Sequence, residues 1–508
     1  MRMDSDKHTS FEFGLFLIGW LLVSSALPGQ TVPPLNTAGD PKALIAGLEQ
    51  RLPELMKQAR IPGLSIAVIK AGKLLWTRGF GVKNARTGEP VTADTIFEAA
   101  SLTKPFFAYL AMKFVERGKI SLDMPLVDYV PRAEVEKGLG HSLEHPGFRG
   151  DWFRRITARM VLSHSSGLPH GERGTPLPIF FEPGTKYRYS ADGYYFLQRA
   201  IEHLEGEPLE KIMDSMVIVP LKMESSSLVW QKRYEKTAAV GHDVLGETDG
   251  QFRKRTEAHA AATLYTTAGD YARFVMAMMN DAGLRGETIR EMLKPQIEVA
   301  ENISWGIGFG LERTPNGDAF WQWGDYGTFR NYVVGYKEDK LGVVYLTNSF
   351  NGLSIGQELI RQAIGGGPDP GLAYLNYDQY DSPGARFLNG VLDKGADAVP
   401  TLYRQFTKDS PGSLDEAAVN RIGYQLLNAK KSLEAIAVLK LNVAHHPGSA
   451  NVYDSLAEAY MINGDRELAI AYYRKALETI PQDTKADKAF LENIKKGALQ
   501  KLKELEKK

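Results

Sequence analysis

Within Phe97-Glu98-Ala99-Ala100-Ser101-Leu102-Thr103-Lys104, a serine and a lysine stand three residues apart at the head of an apolar run. Positions i and i+3 share a helix face, so the Lys104 amine can reach the Ser101 hydroxyl. A serine hydroxyl is a poor nucleophile until a neighbour takes its proton. A free lysine, with a pKa of about 10.4, is charged at pH 7 and cannot do so. Neutrality needs a downward shift of about 3 units, roughly 4 kcal/mol, from burial or a nearby positive field. The alternative is a second base beside it. The stretch 95–100 predicts a strand running into the site, and 105–115 predicts a largely apolar, buried helix. Ser101 then lies near a helix N-terminus, where free backbone N–H groups favour developing negative charge. Most Ser-x-x-Lys pairs lie on solvated helix faces, so the pair gains meaning only from partners elsewhere in the chain.

Two further stretches offer partners. Tyr189-Ser190-Ala191 lies within 181–195, and Gln322-Trp323-Gly324-Asp325 within 320–327. Singly, Tyr189 is a packing tyrosine and Gln322-Trp323-Gly324 an aromatic strand. The order and spacing of all three stretches, however, resemble the serine β-lactamase and penicillin-recognising enzyme family, in particular its class C, esterase and D-aminopeptidase branch. The likeness covers residues 40–365. It is supported by 122–131, by Ile156-Thr157 leading to Leu162-Ser163-His164-Ser165-Ser166-Gly167-Leu168-Pro169, by Pro220-Leu221-Lys222-Met223 and by 266–272.

The resemblance implies an α/β fold, an antiparallel sheet flanked by helices with a large helical insert. It implies an acyl-enzyme mechanism on an ester, amide or β-lactam, with a small-molecule or peptide substrate and no metal or organic cofactor. Ser101 would be acylated, Lys104 would be its proton partner, and Tyr189 a second base that later protonates the leaving group. A lysine ammonium beside the phenol would lower its pKa, and the two would titrate as a unit. The N–H groups of Ser101 and Asp325 would form the oxyanion hole. Gly324 would let substrate lie close to the strand edge. Two positions depart from the family pattern. Ala191 stands where the tyrosine motif ends in asparagine, and losing a neutral hydrogen bond to a substrate amide costs about 0.5–1.5 kcal/mol. Gln322 stands where lysine or histidine opens the third motif, and losing a charged contact to a substrate carboxylate costs about 1.5–3 kcal/mol. Recognition of carboxylated substrates is thus expected to suffer more than acylation. Arg330 is a candidate to replace the charge, against a plainer role as a strand residue.

Three rivals compete. Gly352-Leu353-Ser354-Ile355-Gly356 matches the G-x-S-x-G elbow of α/β-hydrolase esterases, but the only later histidines, His445 and His446, fall in the C-terminal helical region. His141-Ser142-Leu143-Glu144-His145 matches a zinc pattern, yet Gly138, Gly140, Pro146 and Gly147 around it predict a polar loop. His164 is most simply a structural loop residue. The rival from another class is a catalytically decayed scaffold whose C-terminal repeats bind a protein partner, motivated by Ala191 and Gln322.

Positioning these residues requires a sheet built from both ends of a domain. A helix is predicted at 41–59 and strands at 63–70 and 73–82. Residues 105 to about 295 read mostly helical. Strands return at 305–311, 319–323, 330–336 and 342–347, and a helix at 355–364 closes the run. The glycine- and proline-rich stretch 365–371 predicts a boundary, followed by a linker with helical segments at 366–412 and an all-α module at 413–508. Tyr453, Leu456, Ala457, Tyr460, Gly464, Ala469, Tyr473, Ala476 and Pro481 resemble a tetratricopeptide repeat, and the pattern recurs 34 residues earlier. Such arrays offer a concave surface for a protein partner.

At the other end, residues 1–30 combine Arg2 and Lys7 with an apolar run and small residues at 24–26. That pattern predicts a signal peptide or a membrane anchor, hence a periplasmic or secreted protein with a candidate N-terminal tether. Lys+Arg and Asp+Glu both total 61, and the absence of a basic stripe leaves nucleic-acid binding without support. Cysteine is absent, which excludes disulfides, thiolate metal sites and a cysteine nucleophile.

Overall fold

The computed structural model describes residues 32–172 and 174–507. The predicted leader at 1–30 lies outside the described residues. From the N-terminus, Asp40 caps the helix Pro41–Gln58 by accepting from the Lys42 N–H, with Pro41 pre-set in the first turn. The strands are β1 (Gly63–Lys70), β2 (Lys73–Asn84), β3 (Glu89–Pro90), β4 (Phe97–Glu98), β5 (Tyr265–Thr266), β6 (Ile297–Ala300), β7 (Ile303–Trp305), β8 (Gly310–Thr314), β9 (Gly317–Asp325), β10 (Arg330–Tyr336) and β11 (Leu341–Thr347).

Nine of them form one sheet in the order β3-β2-β1-β11-β10-β9-β8-β7-β6, with antiparallel neighbours throughout; β4 and β5 pair separately. The first long strand therefore lies against the last, as a sheet closed from both ends requires. Alternation along the central strands feeds two cores at once. Ile66, Val68, Val343 and Tyr345 face the core that the helices Pro41–Gln58 and Gly356–Ile364 cover. Ala67, Ile69, Val344 and Leu346 face the larger core beneath Thr103–Glu116, Asp192–Glu205 and Ala268–Met279. With both faces covered, β1 and β11 are apolar almost end to end.

Several expectations are corrected. The strand expected at 95–100 shrinks to the two residues of β4, because Ala100 takes a left-handed conformation (φ 50°) and turns the chain into the site. The single strand expected at 305–311 is broken into β7 and β8 by a turn at Gly308 (φ 88°). A Cβ on Gly308 would lie 2.3 Å from the Ala108 Cβ, so the turn is pressed onto the helix that follows Ser101. β6 was not anticipated. The insert holds fewer helical residues than its composition suggests; long loops at 169–191 and 237–264 carry parts of the site.

Nor does the chain leave the sheet at 365–371. Asp369 is buried, accepting from Tyr332 Oη (2.8 Å) and from the Leu372 N–H (2.7 Å) at the head of the helix Pro370–Leu375. Beyond it, helices Pro383–Lys394 and Val399–Asp409 precede two antiparallel pairs, Glu416–Asn428 with Ser432–His445 and Ala450–Asn463 with Arg466–Thr479, and a last helix Lys488–Glu506. Corresponding helices of the two pairs start 34 residues apart. They pack closely: a Cβ on Gly423 would lie 2.6 Å from Leu439.

Candidate active site

Ser101 sits on a 3-10 turn, Ala100–Leu102, between β4 and the helix Thr103–Glu116. The strained Ala100 before it costs of order 1–3 kcal/mol and is held from several sides. Thr103 Oγ1 donates to Ala100 O (2.6 Å) and accepts from the Leu264 N–H (3.0 Å), while the Ala99 N–H donates to Leu264 O (2.8 Å). From the sheet side, Gly324 on β9 presses on the same turn. A Cβ there would lie 2.2 Å from Ala99 O, so protein packing by itself requires the glycine. That closeness sets the Gly324–Asp325 peptide alongside the Ser101 turn.

Lys104 Nζ lies 3.1 Å from Ser101 Oγ and donates to Ala261 O (2.9 Å). The side chain is 1% exposed, and no carboxylate among the described residues pairs with it. Burial alone brings its pKa down to about 7, the shift that the sequence required. An amine so placed can take the Ser101 proton near neutral pH.

Tyr189 arrives on the 169–191 loop. Its phenol accepts from Gln322 Nε2 (2.8 Å), and its ring lies 4.7 Å from Lys104 Nζ. The expected lowering of its pKa is not found. Burial raises it, and the nearby Ser101 hydroxyl and Gln322 amide offset only part of that rise. The amine meets the ring face rather than the hydroxyl, so the phenol stays protonated and can donate.

Gln322 is fully buried, and its Nε2 also lies 3.3 Å from Ser101 O and 3.0 Å from Trp323 O. Two carbonyls beside it fix the amide orientation, since the opposite flip would set oxygen against oxygen. A neutral donor thus replaces the motif's cation at the phenol. Arg330 does not supply the missing charge: its Nε pairs with Asp325 Oδ2 (3.1 Å), its Nη1 donates to Phe350 O (2.5 Å), and its guanidinium covers the Phe350 ring. Ala191 is buried at the head of the helix Asp192–Glu205, where Ser190 Oγ accepts from the Gly193 N–H (3.1 Å). Its methyl offers substrate no hydrogen bond.

Sequence reasoning passed over two contributors. Ala261 has no side-chain chemistry to mark it, and its carbonyl reaches Lys104 from 157 residues away. His164, read as structural, indeed supports Tyr189: the ring centroids are 4.2 Å apart, and Nδ1 accepts from the Ser190 N–H (3.0 Å). That bond leaves its proton on Nε2, and burial with the nearby Lys104 holds its pKa well below the usual histidine range.

The rival motifs do not assemble. Ser354 Oγ donates to Asn351 O (2.7 Å), and the antiparallel sheet is not that of an α/β-hydrolase. In the 141–145 loop, His141 Nε2 accepts from the Leu177 N–H (3.1 Å) and Glu144 pairs with Arg132 and Arg154, so the pattern is occupied by loop contacts. Among the described residues no group of three or more histidine or acidic side chains could hold a metal. A 470 Å³ surface cavity lined by Glu134, Arg199, Glu202, His203, Gly206, Glu207 and Pro208 shares no residue with this site.

An antiparallel sheet, a helical face and, at their junction, a Ser-Lys-Tyr cluster with a buried amine define a penicillin-recognising type of serine hydrolase. The family model described as Beta-lactamase matches residues 48–364, and the chain belongs to that family. Esterase EstB of Burkholderia gladioli is 26% identical over 381 residues, covering 64% of this chain and 95% of that protein. A beta-lactamase of Pseudomonas fluorescens is 27% identical over 243 residues, 45% of this chain and 63% of the other. Among solved structures, an octameric penicillin-binding protein homologue from Pyrococcus abyssi superposes with a TM-score of 0.52 at 23% identity, covering 68% of this chain and 82% of that one. The D-alanine carboxypeptidase AmpC from Burkholderia cenocepacia does so with a TM-score of 0.52 at 20% identity, covering 61% and 95%.

Proposed function

We propose that this serine hydrolase works through an acyl-enzyme on Ser101 and prefers uncharged esters to carboxylated β-lactams or peptide termini. The carrying observation is the buried Lys104 amine 3.1 Å from Ser101 Oγ, with a pKa of about 7. Lys104 takes the hydroxyl proton as Ser101 attacks the acyl carbon. The N–H groups of Ser101 and Asp325 hold the oxyanion. Tyr189, held neutral beside Lys104 and Gln322, donates the proton that the leaving alkoxide needs. Water then attacks the acyl group by the reverse relay.

The preference rests on what surrounds the phenol. Gln322 supplies a neutral donor, Arg330 is tied to Asp325, and Trp323 packs against Tyr189 with ring centroids 4.6 Å apart. An aromatic wall without a free cation suits an apolar acyl or aryl group, and the 26% identity to an esterase over most of its length supports the same reading. The leader-like segment supports export, and the paired C-terminal helices support a repeat module with a protein partner.

An active-site serine probe followed by mass spectrometry should place one adduct on Ser101. Short-chain aryl esters should be turned over at least tenfold faster than a chromogenic cephalosporin or D-amino-acid peptides. Folded protein without an adduct would instead point to the decayed scaffold.

A further inference from the structure

The third motif is held partly from outside the matched 48–364 region. Tyr377, just past the helix Pro370–Leu375, donates its hydroxyl to Asp325 Oδ2 at 2.5 Å. Trp323 and Asp325 are two residues apart on β9, so their side chains share a face, with Gly324 between them. The phenol oxygen therefore ties the immediate neighbour of Gly324, the residue that presses on the Ser101 turn. The Asp325 carboxylate is saturated: Oδ1 accepts from the Gly327 N–H (2.6 Å), and Oδ2 from Arg330 Nε (3.1 Å) and Tyr377. Charge-assisted bonds of this kind are about twice as strong as neutral ones and fix geometry. Arg330 also lies under the Tyr377 ring, 4.7 Å from its centroid.

The following residue leads outward. Asp378 accepts from Arg421 Nε (3.3 Å) and Nη2 (3.2 Å), and Arg421 belongs to Glu416–Asn428, the first of the paired C-terminal helices. A continuous chain of contacts thus runs from that helix through Asp378 and Tyr377 to Asp325. By contrast, the Arg60 contacts to Asp393 and Asn389 reach the helix Pro383–Lys394 and touch no residue of the site.

We propose that Tyr377 is a positioning residue of the acyl site, and that the Arg421–Asp378 pair makes the C-terminal helices part of the catalytic unit. The inference rests on Ser101 acylation. Misplacing an oxyanion donor by about 1 Å can cost as much as a hundredfold in rate, so a clamp on Asp325 acts on kcat more than on substrate binding.

Tyr377→Phe removes one hydroxyl and keeps the ring. On an aryl ester its kcat should fall about tenfold with KM within about twofold, the loss expected for a bond to a charged group. The single reversals Asp378→Arg and Arg421→Asp should each lower kcat by about two- to fivefold, and the double reversal should restore it, as expected of a half-exposed ion pair. Arg60→Ala should leave kcat unchanged. Wild-type kcat in Tyr377→Phe, or in both single reversals, overturns the proposal; the reversals serve where Tyr377→Phe fails to fold. A wild-type protein that neither labels at Ser101 nor turns over ester overturns the acyl-enzyme reading instead, which separates the two failures.

Discussion

Two serines in this molecule occupy the same local setting and differ in everything around it. Ser101 lies on a 3-10 turn before the helix Thr103–Glu116, and Ser354 on a 3-10 turn, Gly352–Ile355, before the helix Gly356–Ile364. Both match a nucleophile motif. Around Ser101 three separate segments deliver a buried amine, a phenol and an amide donor. Around Ser354 the hydroxyl is spent on the carbonyl three residues back, a bond of the turn itself. A strand-to-helix serine is thus common geometry; a nucleophile requires that its hydroxyl be left for a base that burial has kept uncharged.

The sharpest break of that comparison is Ser101→Ala. It should lower kcat by about a thousandfold or more while the circular dichroism spectrum is retained. Tyr189→Phe should cost about a hundredfold in kcat if the phenol donates the leaving-group proton; near-normal turnover removes it from the mechanism.

The pH profile tests the base directly. With Lys104 at about 7, kcat/KM should fall about tenfold per unit below that pH and level off above it. A profile flat from pH 5 to 8 excludes Lys104 as the base. Its linkage to stability has a definite sign. The unfolded lysine titrates near 10.4, so between about 7 and 10.4 the unfolded state binds more protons and this residue's contribution to stability rises with pH. Below about 7 the full cost of the buried charge is present, and Lys104→Met should raise the melting temperature there by a few degrees. The smallest effect is the control: Ser354→Ala should leave kcat/KM within about twofold, since it removes only a turn hydrogen bond.

Much of the molecule is legible along the chain because its determinants are local. The i, i+3 spacing of Ser101 and Lys104 gives contact on any helical turn. Short, nearly continuous apolar runs place β1, β10 and β11, and the 34-residue spacing of small and aromatic residues matches the spacing of the helix pairs. The errors fall where distant segments override local preference. Ala100 resembles strand in sequence but is forced into a left-handed turn, and the strand expected at 305–311 is broken by the turn at Gly308, which is pressed onto the helix after Ser101.

Read along the chain alone, the residues supply a candidate Ser-Lys pair, the tyrosine and amide to set beside it, and the family they resemble. Only the tertiary structure decided their electrical state. Lys104 is brought to about 7 because the loop holding Ala261 and the ring of Tyr189 exclude water from it, and Tyr189 stays protonated because it is buried in the same place. Likewise, Tyr377 reaches Asp325 only once the chain beyond the matched region folds back along the sheet. Spacing in sequence fixes which groups can meet on one helix face, whereas desolvation depends on every segment that closes around them.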